Sequence, residues 1–242
     1  MNSPATALPE SEFGKYVYSA ELFETIEACG IGPGASVLDL GCGVGFASEH
    51  FVRSGCKVIG VDQSEAALQQ ARERLPAAKW HQAPVEKLPL RPATVDLVVC
   101  GQAFHYFDRT KAMNEVLRVL KPGGHVAIWW KALANDDPIR LKKQALLQEF
   151  GAAEPTSGLT SGFREFFAAP FADHKVRVLR WQLLMPLDRY LAFERTNWEQ
   201  AGAFGPNVDE FFSRLSRALR VEVGKQSTIP LNYIQMLYLG TK

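Results

Sequence analysis

Val37-Leu38-Asp39-Leu40-Gly41-Cys42-Gly43-Val44-Gly45-Phe46, followed by Val58-Ile59-Gly60-Val61-Asp62, carries the strongest pattern in the chain. It reads as a strand, a glycine turn, a helix and a second strand ending in a carboxylate. Val37 to Leu40 is a short apolar run of the kind found in buried parallel strands, and the glycines beyond it let backbone approach a ligand. Asp62, roughly 20 residues after the first glycine, is placed to accept from both hydroxyls of a ribose. The pattern therefore predicts a nucleoside site.

A dinucleotide fold also carries a glycine turn and a distal acid, and Asp39 separates the two. Its carboxylate, two residues before the first glycine, would face the pocket, repelling a pyrophosphate and attracting an ammonium or sulfonium. Phe46 stands where the third glycine of G-x-G-x-x-G would be. A cationic ligand with an adenosine end fits better than NAD.

Outward from this stretch, helices and strands alternate. Leu22, Phe23, Ile26 and Glu27 form a helical pattern ending near Gly30, after which Gly32-Pro33-Gly34 turns into the first strand. The spacing predicts helices over Ala47 to Ser54, Glu65 to Leu75 (capped by Ser64) and Thr110 to Leu120, the last ending at Lys121-Pro122-Gly123-Gly124. Strands are expected at Lys57 to Asp62, Lys79 to Gln82, Val95 to Cys100 and His125 to Trp130. Such alternation implies an α/β fold with a Rossmann-like, doubly wound, mainly parallel sheet and a ligand crevice beyond the strands' C-terminal ends. After Trp130 the alternation stops. Leu133 to Phe150 reads as helical with Asn135-Asp136-Asp137-Pro138 as its start, then come a stretch rich in small residues from Gly151 to Gly162 and the rings Phe163, Phe166, Phe167 and Phe171. A strand at Lys175 to Met185, helices at Leu187 to Trp198 and Val208 to Arg220, and a β-run at Ile229 to Leu239 follow. The expected organisation is a single domain: an N-terminal helical lid over 1–33, a core over 34–130, and a cap insertion with C-terminal strands over 131–242, making seven strands with the helical cap after the fifth. Residues 1–12 should be loose, and Tyr16 and Tyr18 either close over a ligand or pack on the core.

The 27 basic and 26 acidic residues leave a net charge of +1, which argues against a sequence-independent grip on nucleic acid. No stretch has the pattern of a signal peptide or a membrane span, so a cytoplasmic protein is expected. Cys29, Cys42, Cys56 and Cys100 form no C-x-x-C pair, so neither a disulfide framework nor a metal site is suggested.

Five motifs in order resemble the class I S-adenosylmethionine-dependent methyltransferases: Leu38-Asp39-Leu40-Gly41-Cys42-Gly43-Val44-Gly45, Gly60-Val61-Asp62-Gln63-Ser64, Val85-Glu86-Lys87-Leu88-Pro89-Leu90, Val95-Asp96-Leu97-Val98-Val99, and Leu117-Arg118-Val119-Leu120-Lys121-Pro122-Gly123-Gly124. The resemblance spans about Gly34 to Trp130 and is to the small-molecule, UbiE-like and trans-aconitate methyltransferase-like group. It implies S-adenosylmethionine as cofactor, with Gly41-Cys42-Gly43 along its methionine part and Asp39 reaching its ammonium. Asp62 would hold the ribose and Gln63 border the adenine, while Val85, Glu86 and Cys100 complete the cofactor-side positions. Pro84 departs from the acidic or polar residue of many relatives, so adenine recognition should fall to the backbone of Val85 or a neighbouring group.

The segment from Cys100 to Asp108 resembles the Gln-Ala-x-His-aromatic-Phe-Asp run of methyltransferases acting on carboxylate metabolites. His105 is the candidate catalytic residue, either as general base or as a loop cap bonded to backbone. Asp108 is expected to cap the next helix. No Asn-Pro-Pro-Tyr or Asp-Pro-Pro-Tyr run, Pro-Cys nucleophile or carboxylate cluster near the fourth strand points to base, glutamine or metal-assisted methylation. The cap is aromatic, with Trp129, Trp130, Phe163, Phe166, Phe167, Trp181, Phe193 and Trp198, most of them core. Lys131, Arg140, Arg164, Arg189 and Arg195 are candidate anchors for an anionic group.

The expected function is methyl transfer to an O or N atom of a small metabolite, carboxylated or aromatic, with an enolisable carbon still open. The expected partner is a small-molecule acceptor, with no nucleic acid and no membrane. Alternatives are a non-catalytic cofactor-binding regulatory module, or a tRNA or protein methyltransferase, which a basic stripe around Arg140, Lys142 and Lys143 would support.

Overall fold

The computed structural model describes residues 6–7, 18–152, 162–171, 173–201, 207–224 and 226–242, with the side chains of 6–7 and 196–201 left aside. Tyr16, Trp198 and the N-terminal dozen apart from Thr6 and Ala7 lie outside what is described. The strands are β1 (Thr6–Ala7), β2 (Ser36–Leu40), β3 (Lys57–Asp62), β4 (Lys79–Gln82), β5 (Val95–Gly101), β6 (Leu120–Leu133), β7 (Asp173–Pro186) and β8 (Thr228–Thr241). The helices are α1 (Ala20–Glu27), α2 (Phe46–Arg53), α3 (Glu65–Arg74), α4 (Arg109–Val119), α5 (Pro138–Glu149), α6 (Phe163–Ala168), α7 (Leu187–Ala201) and α8 (Val208–Val223).

The hydrogen-bonded strand order is β1-β7-β8-β6-β5-β2-β3-β4. Seven of these strands have four residues or more, and β1 adds a two-residue pairing at the edge. Pairs β2/β3, β2/β5, β3/β4 and β5/β6 are parallel. Strand β8 runs the other way, because Gly123 and Gly124 bond to Lys242 while Ala134 bonds to Asn232. This is the expected Rossmann-like, mainly parallel sheet.

The chain forms two compact units. The larger comprises 18–131, 160–179 and 235–242, the smaller 1–17, 132–159 and 180–234. In the larger unit, alternate strand residues face opposite ways and so make two cores. Val37, Leu97, Val99 and Trp129 pack with Leu22 and Ile26 of α1 and Phe51 of α2. Leu38, Val98, Ile128 and Trp130 pack with Met113 and Val116 of α4 and Phe163 and Phe167 of α6. Both sheet faces are therefore covered, the doubly wound condition. In the smaller unit, Phe211, Leu215 and Leu219 recur every fourth residue along α8 and meet Leu146 of α5, Tyr190 of α7 and Leu183 of β7.

Helix starts follow local chemistry. Side chains of Ser19, Ser64, Asp108 and Asp137 accept from the backbone amides of Leu22, Ala67, Lys111 and Arg140, three residues on in each case. Helix α4 ends at Val119, just before Lys121-Pro122-Gly123-Gly124 as expected, and those four residues lie inside β6, with Gly123 at φ +75°. The ladder jumps there, from Leu120 opposite Val95 to His125 opposite Leu97, and the extra residues are accommodated as an irregularity. Phe163 to Ala168, whose rings the sequence left without a secondary structure, forms a short helix.

Several motifs turn out to be scaffold. Arg118 donates to the carbonyls of Leu90 (2.7 Å) and Leu88 (3.2 Å) and pairs with Glu115, which accepts from the Leu88 amide. Asp96 accepts from Ser36 N (2.8 Å) and Lys121 Nζ (2.7 Å), tying together the starts of three strands.

Candidate functional site

The glycine turn leaves β2 and immediately returns to β3. The amides of Gly41 and Cys42 both donate to the Val61 carbonyl, at 2.8 and 3.2 Å. Gly41 has φ +62°, and a Cβ there would lie 2.6 Å from the Ala103 Cβ, so close approach to the loop after β5 requires glycine. Gly43 has φ +52° with open space about its α-carbon, and its amide donates to Asp62 Oδ2 at 2.8 Å. Asp62 Oδ1 accepts from Ser64 N at 2.8 Å, so the carboxylate at the end of β3 is held by two backbone amides. Each oxygen keeps a further lone pair.

Asp39 is almost fully buried at 1% exposure and accepts from the Ser48 hydroxyl of α2 at 2.6 Å. Burial raises its pKa to about 7. The Ser48 hydrogen bonds oppose that rise and the nearby Asp62 charge adds to it. A desolvated carboxyl beside a tight backbone turn gains from a cation and loses from an anion.

Of the other expected positions, Gln63 is exposed and its carbonyl accepts from the Gln82 side chain (3.0 Å). Val85 is buried in the core and lies in a Pro84–Lys87 turn, and among the described residues its amide has no hydrogen-bond partner. The Glu86 carboxylate accepts from Asp108 N (2.9 Å), tying its loop to the start of α4. Cys42 is 7% exposed and Cys100 is fully buried; burial pushes both thiols up. The Cys100 side chain lies inside the core, so a contact with a ligand there would have to come from its backbone, as at the equally buried Val85.

Beyond β5, Gln102 adopts φ +62°, rare for a residue with a side chain. Its carboxamide donates to the Lys131 carbonyl (3.1 Å) and accepts from the Lys131 amide (3.2 Å), standing in for the strand partner that β6 loses where β5 ends. His105 follows on the short 3₁₀ turn Phe104–Tyr106. Its Nδ1 accepts from Trp130 Nε1 at 3.1 Å, not the backbone contact expected of a loop cap. Burial lowers the imidazole pKa, and the Arg109 charge adds to that. Lys131 lies with its Nζ 5.8 Å from the Tyr18 ring, its ammonium pushed down to about 7 by burial.

Sequence reasoning singled out the turn, Asp39, Asp62 and His105 as candidates, and the structure brings the turn, Asp39 and Asp62 together at the ends of β2 and β3. It gave no role to Ser48, to Gln102 or to the pairing of Trp130 with His105. The four-residue tract of Gln102 to His105, opening directly after a strand, was the one available signal for Gln102. Trp129 and Trp130, read as cap rings, are core residues of β6. The basic stripe dissolves into pairs: Lys142 with Glu222 (3.0 Å), and Lys143, buried, with Glu194 (2.9 Å). Arg140 donates to the Leu133 carbonyl (2.6 Å), and Arg195 pairs with Asp209.

A glycine turn and two carboxylates stand at adjacent parallel strand ends, an arrangement whose charge suits a cationic nucleoside. Comparison with known proteins narrows the class. The family described as a methyltransferase domain matches residues 38–128. An uncharacterized methyltransferase of Schizosaccharomyces pombe is 30% identical over 86% of this chain and 84% of its own length. A malonyl-[acyl-carrier protein] O-methyltransferase of Enterobacter lignolyticus is 34% identical over 57% of this chain and 60% of its own. Further curated methyltransferases are matched over shorter shares, down to 36% of their length. Among solved structures, a proposed type II methyltransferase from Anaeromyxobacter dehalogenans shares the fold, with a TM-score of 0.72 at 24% identity over 93% of this chain and 96% of that one. The chain belongs to the class I S-adenosylmethionine-dependent methyltransferases, and S-adenosylmethionine is its cofactor. Among the described residues no helix is long and apolar enough to cross a membrane.

Proposed function

We propose that this enzyme transfers the methyl group of S-adenosylmethionine to an O or N atom of a small acceptor, carboxylated or aromatic. The observation that carries the cofactor assignment is the pair of carboxyls at the ends of β2 and β3: Asp39 buried and raised to about 7, Asp62 held by two amides. In this reading Asp39 receives the cofactor's ammonium and Gly41-Cys42-Gly43 lies along its methionine part. The free lone pairs of Asp62 accept both ribose hydroxyls, Gln63 borders the adenine, and the Val85 amide donates to a ring nitrogen. The bound cofactor supplies an electron-poor methyl carbon on sulfur. The chain's own tasks are to orient the acceptor and to exclude water.

The small acceptor is supported by the lack of an open basic stripe, since Lys142 and Lys143 are paired with Glu222 and Glu194. Its carboxylated character is supported by the relative named for malonyl-[acyl-carrier protein] O-methylation. Calorimetry with S-adenosylhomocysteine tests the site. Asp62→Ala removes two charge-assisted acceptor positions and should weaken binding by about 100-fold. Unchanged affinity would remove Asp62, and with it the assigned cradle, from the account.

A further inference from the structure

The bond between Trp130 and His105 fixes what the imidazole can do. An indole N–H only donates, so the Nδ1 it meets at 3.1 Å carries a lone pair, and in the neutral ring the proton sits on Nε2. A ring in that tautomer carries a donor at Nε2, and it cannot take a proton there. Trp130 is held in place. It is 7% exposed, with Phe163 at 4.7 Å and Tyr238 at 5.9 Å packing edge-on against its indole. The loop carrying His105 is fastened to the next residue of the same strand by the paired Gln102 and Lys131 bonds.

The surroundings oppose a change of tautomer or charge. From α4, Arg109 faces the ring and disfavours its protonation. From β6, Trp130 contributes no charge, and Lys131, one residue on, points to the opposite face beside Tyr18. On α6, Arg164 and Glu165 act on Tyr238, and on the ring's own turn Tyr106 is 79% exposed.

We propose that His105 is a hydrogen-bond donor through Nε2 rather than a base, and that the atom methylated is a carboxylate oxygen of the acceptor, giving a methyl ester. This rests on the methyltransferase reading above and names its substrate class. A phenol or an ammonium must lose a proton to become nucleophilic, whereas a carboxylate already holds the electron pair. That pair forms the new C–O bond, the S–C bond breaks with its electrons going to sulfur, and the two charges cancel. No proton moves, and a donor that orients the anion is what the step requires.

Long-range ¹H–¹⁵N NMR of the full chain labelled at histidine tests the tautomer directly, with His105→Gln identifying the signal. The expected ring at neutral pH has bare Nδ1 and protonated Nε2, and Trp130→Phe should convert it to a mixture. A wild-type ring protonated at Nδ1 overturns the proposal. Calorimetry with S-adenosylhomocysteine on the same sample reports separately on the methyltransferase reading, since cofactor binding does not depend on the tautomer. Methyl-tritiated S-adenosylmethionine with malonate, trans-aconitate and benzoate, set against phenols and primary amines, tests the acceptor class. Base-labile label on the carboxylates, with a rate at saturating cofactor flat from about pH 6 to 8, supports it. Base-stable label on phenols or amines, rising with pH through a group lost in His105→Gln, overturns it.

Discussion

The two units treat polar groups in opposite ways. In the smaller one several conspicuous charges are consumed internally. Lys143 is buried against Glu194, and Asp137 both caps α5 and accepts from the Asn232 amide (2.8 Å) and carboxamide (3.0 Å). In the larger one polar capacity is kept back at the strand ends: Asp39 is buried with only Ser48 bonded to it among the described residues, Asp62 retains lone pairs, and the Val85 amide has no partner among the described residues. Saturated groups stabilise a fold and leave nothing for a ligand. Groups held in place but not saturated cost stability and create a site.

The contrast can be broken most forcefully in the smaller unit. Lys143→Met strands the Glu194 charge in the interior and should destabilise the protein by about 3–5 kcal/mol. A Lys143→Met/Glu194→Leu double variant should recover most of the loss. Thermal melting measures both, and S-adenosylhomocysteine affinity, taken where the variants remain folded, should not change. Loss of cofactor binding in the folded double variant would mean that this ion pair serves the site after all.

Smaller effects are expected within the turn. Gly41→Ala adds a clash with Ala103 to the strain of left-handed backbone and should cost roughly 2–4 kcal/mol. Gly43→Ala meets open space, so only the backbone cost of about 1 kcal/mol remains. Equal melting temperatures for these two variants would contradict the packing of the turn against the loop after β5.

Much of this was legible from residue order. Strand β3 and strand β4 begin and end at the residues expected, β3 marked by its β-branched Val58, Ile59 and Val61 and β4 by its place between the turn after α3 and Pro84. The caps at Ser64 and Asp108 were likewise written in the sequence. What was not legible depends on partners chosen in three dimensions. Lys121-Pro122-Gly123-Gly124 has turn composition, and only the shifted register against β5 draws it into a strand. Helix α6 has six residues, too few for a 3.6-residue period to stand out. His105 and Trp130 are 25 residues apart and meet because neighbouring strands bring them together. Gln102, though part of the Gln-Ala-x-His run, was given no role because the bonds its carboxamide makes to Lys131 depend on a positive-φ backbone that only the fold shows.

The central claim is that Asp39 is a held-back carboxyl awaiting a cation, and its proton can be followed. With its pKa raised from 3.8 to about 7, the folded protein holds a proton that the unfolded chain has released. Its contribution to stability is therefore most favourable below that window and falls as pH rises through it. A ligand ammonium favours the ionised form, so binding should expel the proton and tighten as pH rises through the same window, by up to about tenfold per unit. Calorimetry of S-adenosylhomocysteine binding between about pH 5 and 7, in two buffers of different ionisation enthalpy, is the direct measurement. The account predicts release approaching one proton near the low end and affinity that rises with pH, both lost in Asp39→Asn. Binding with no proton released and no pH dependence would contradict it.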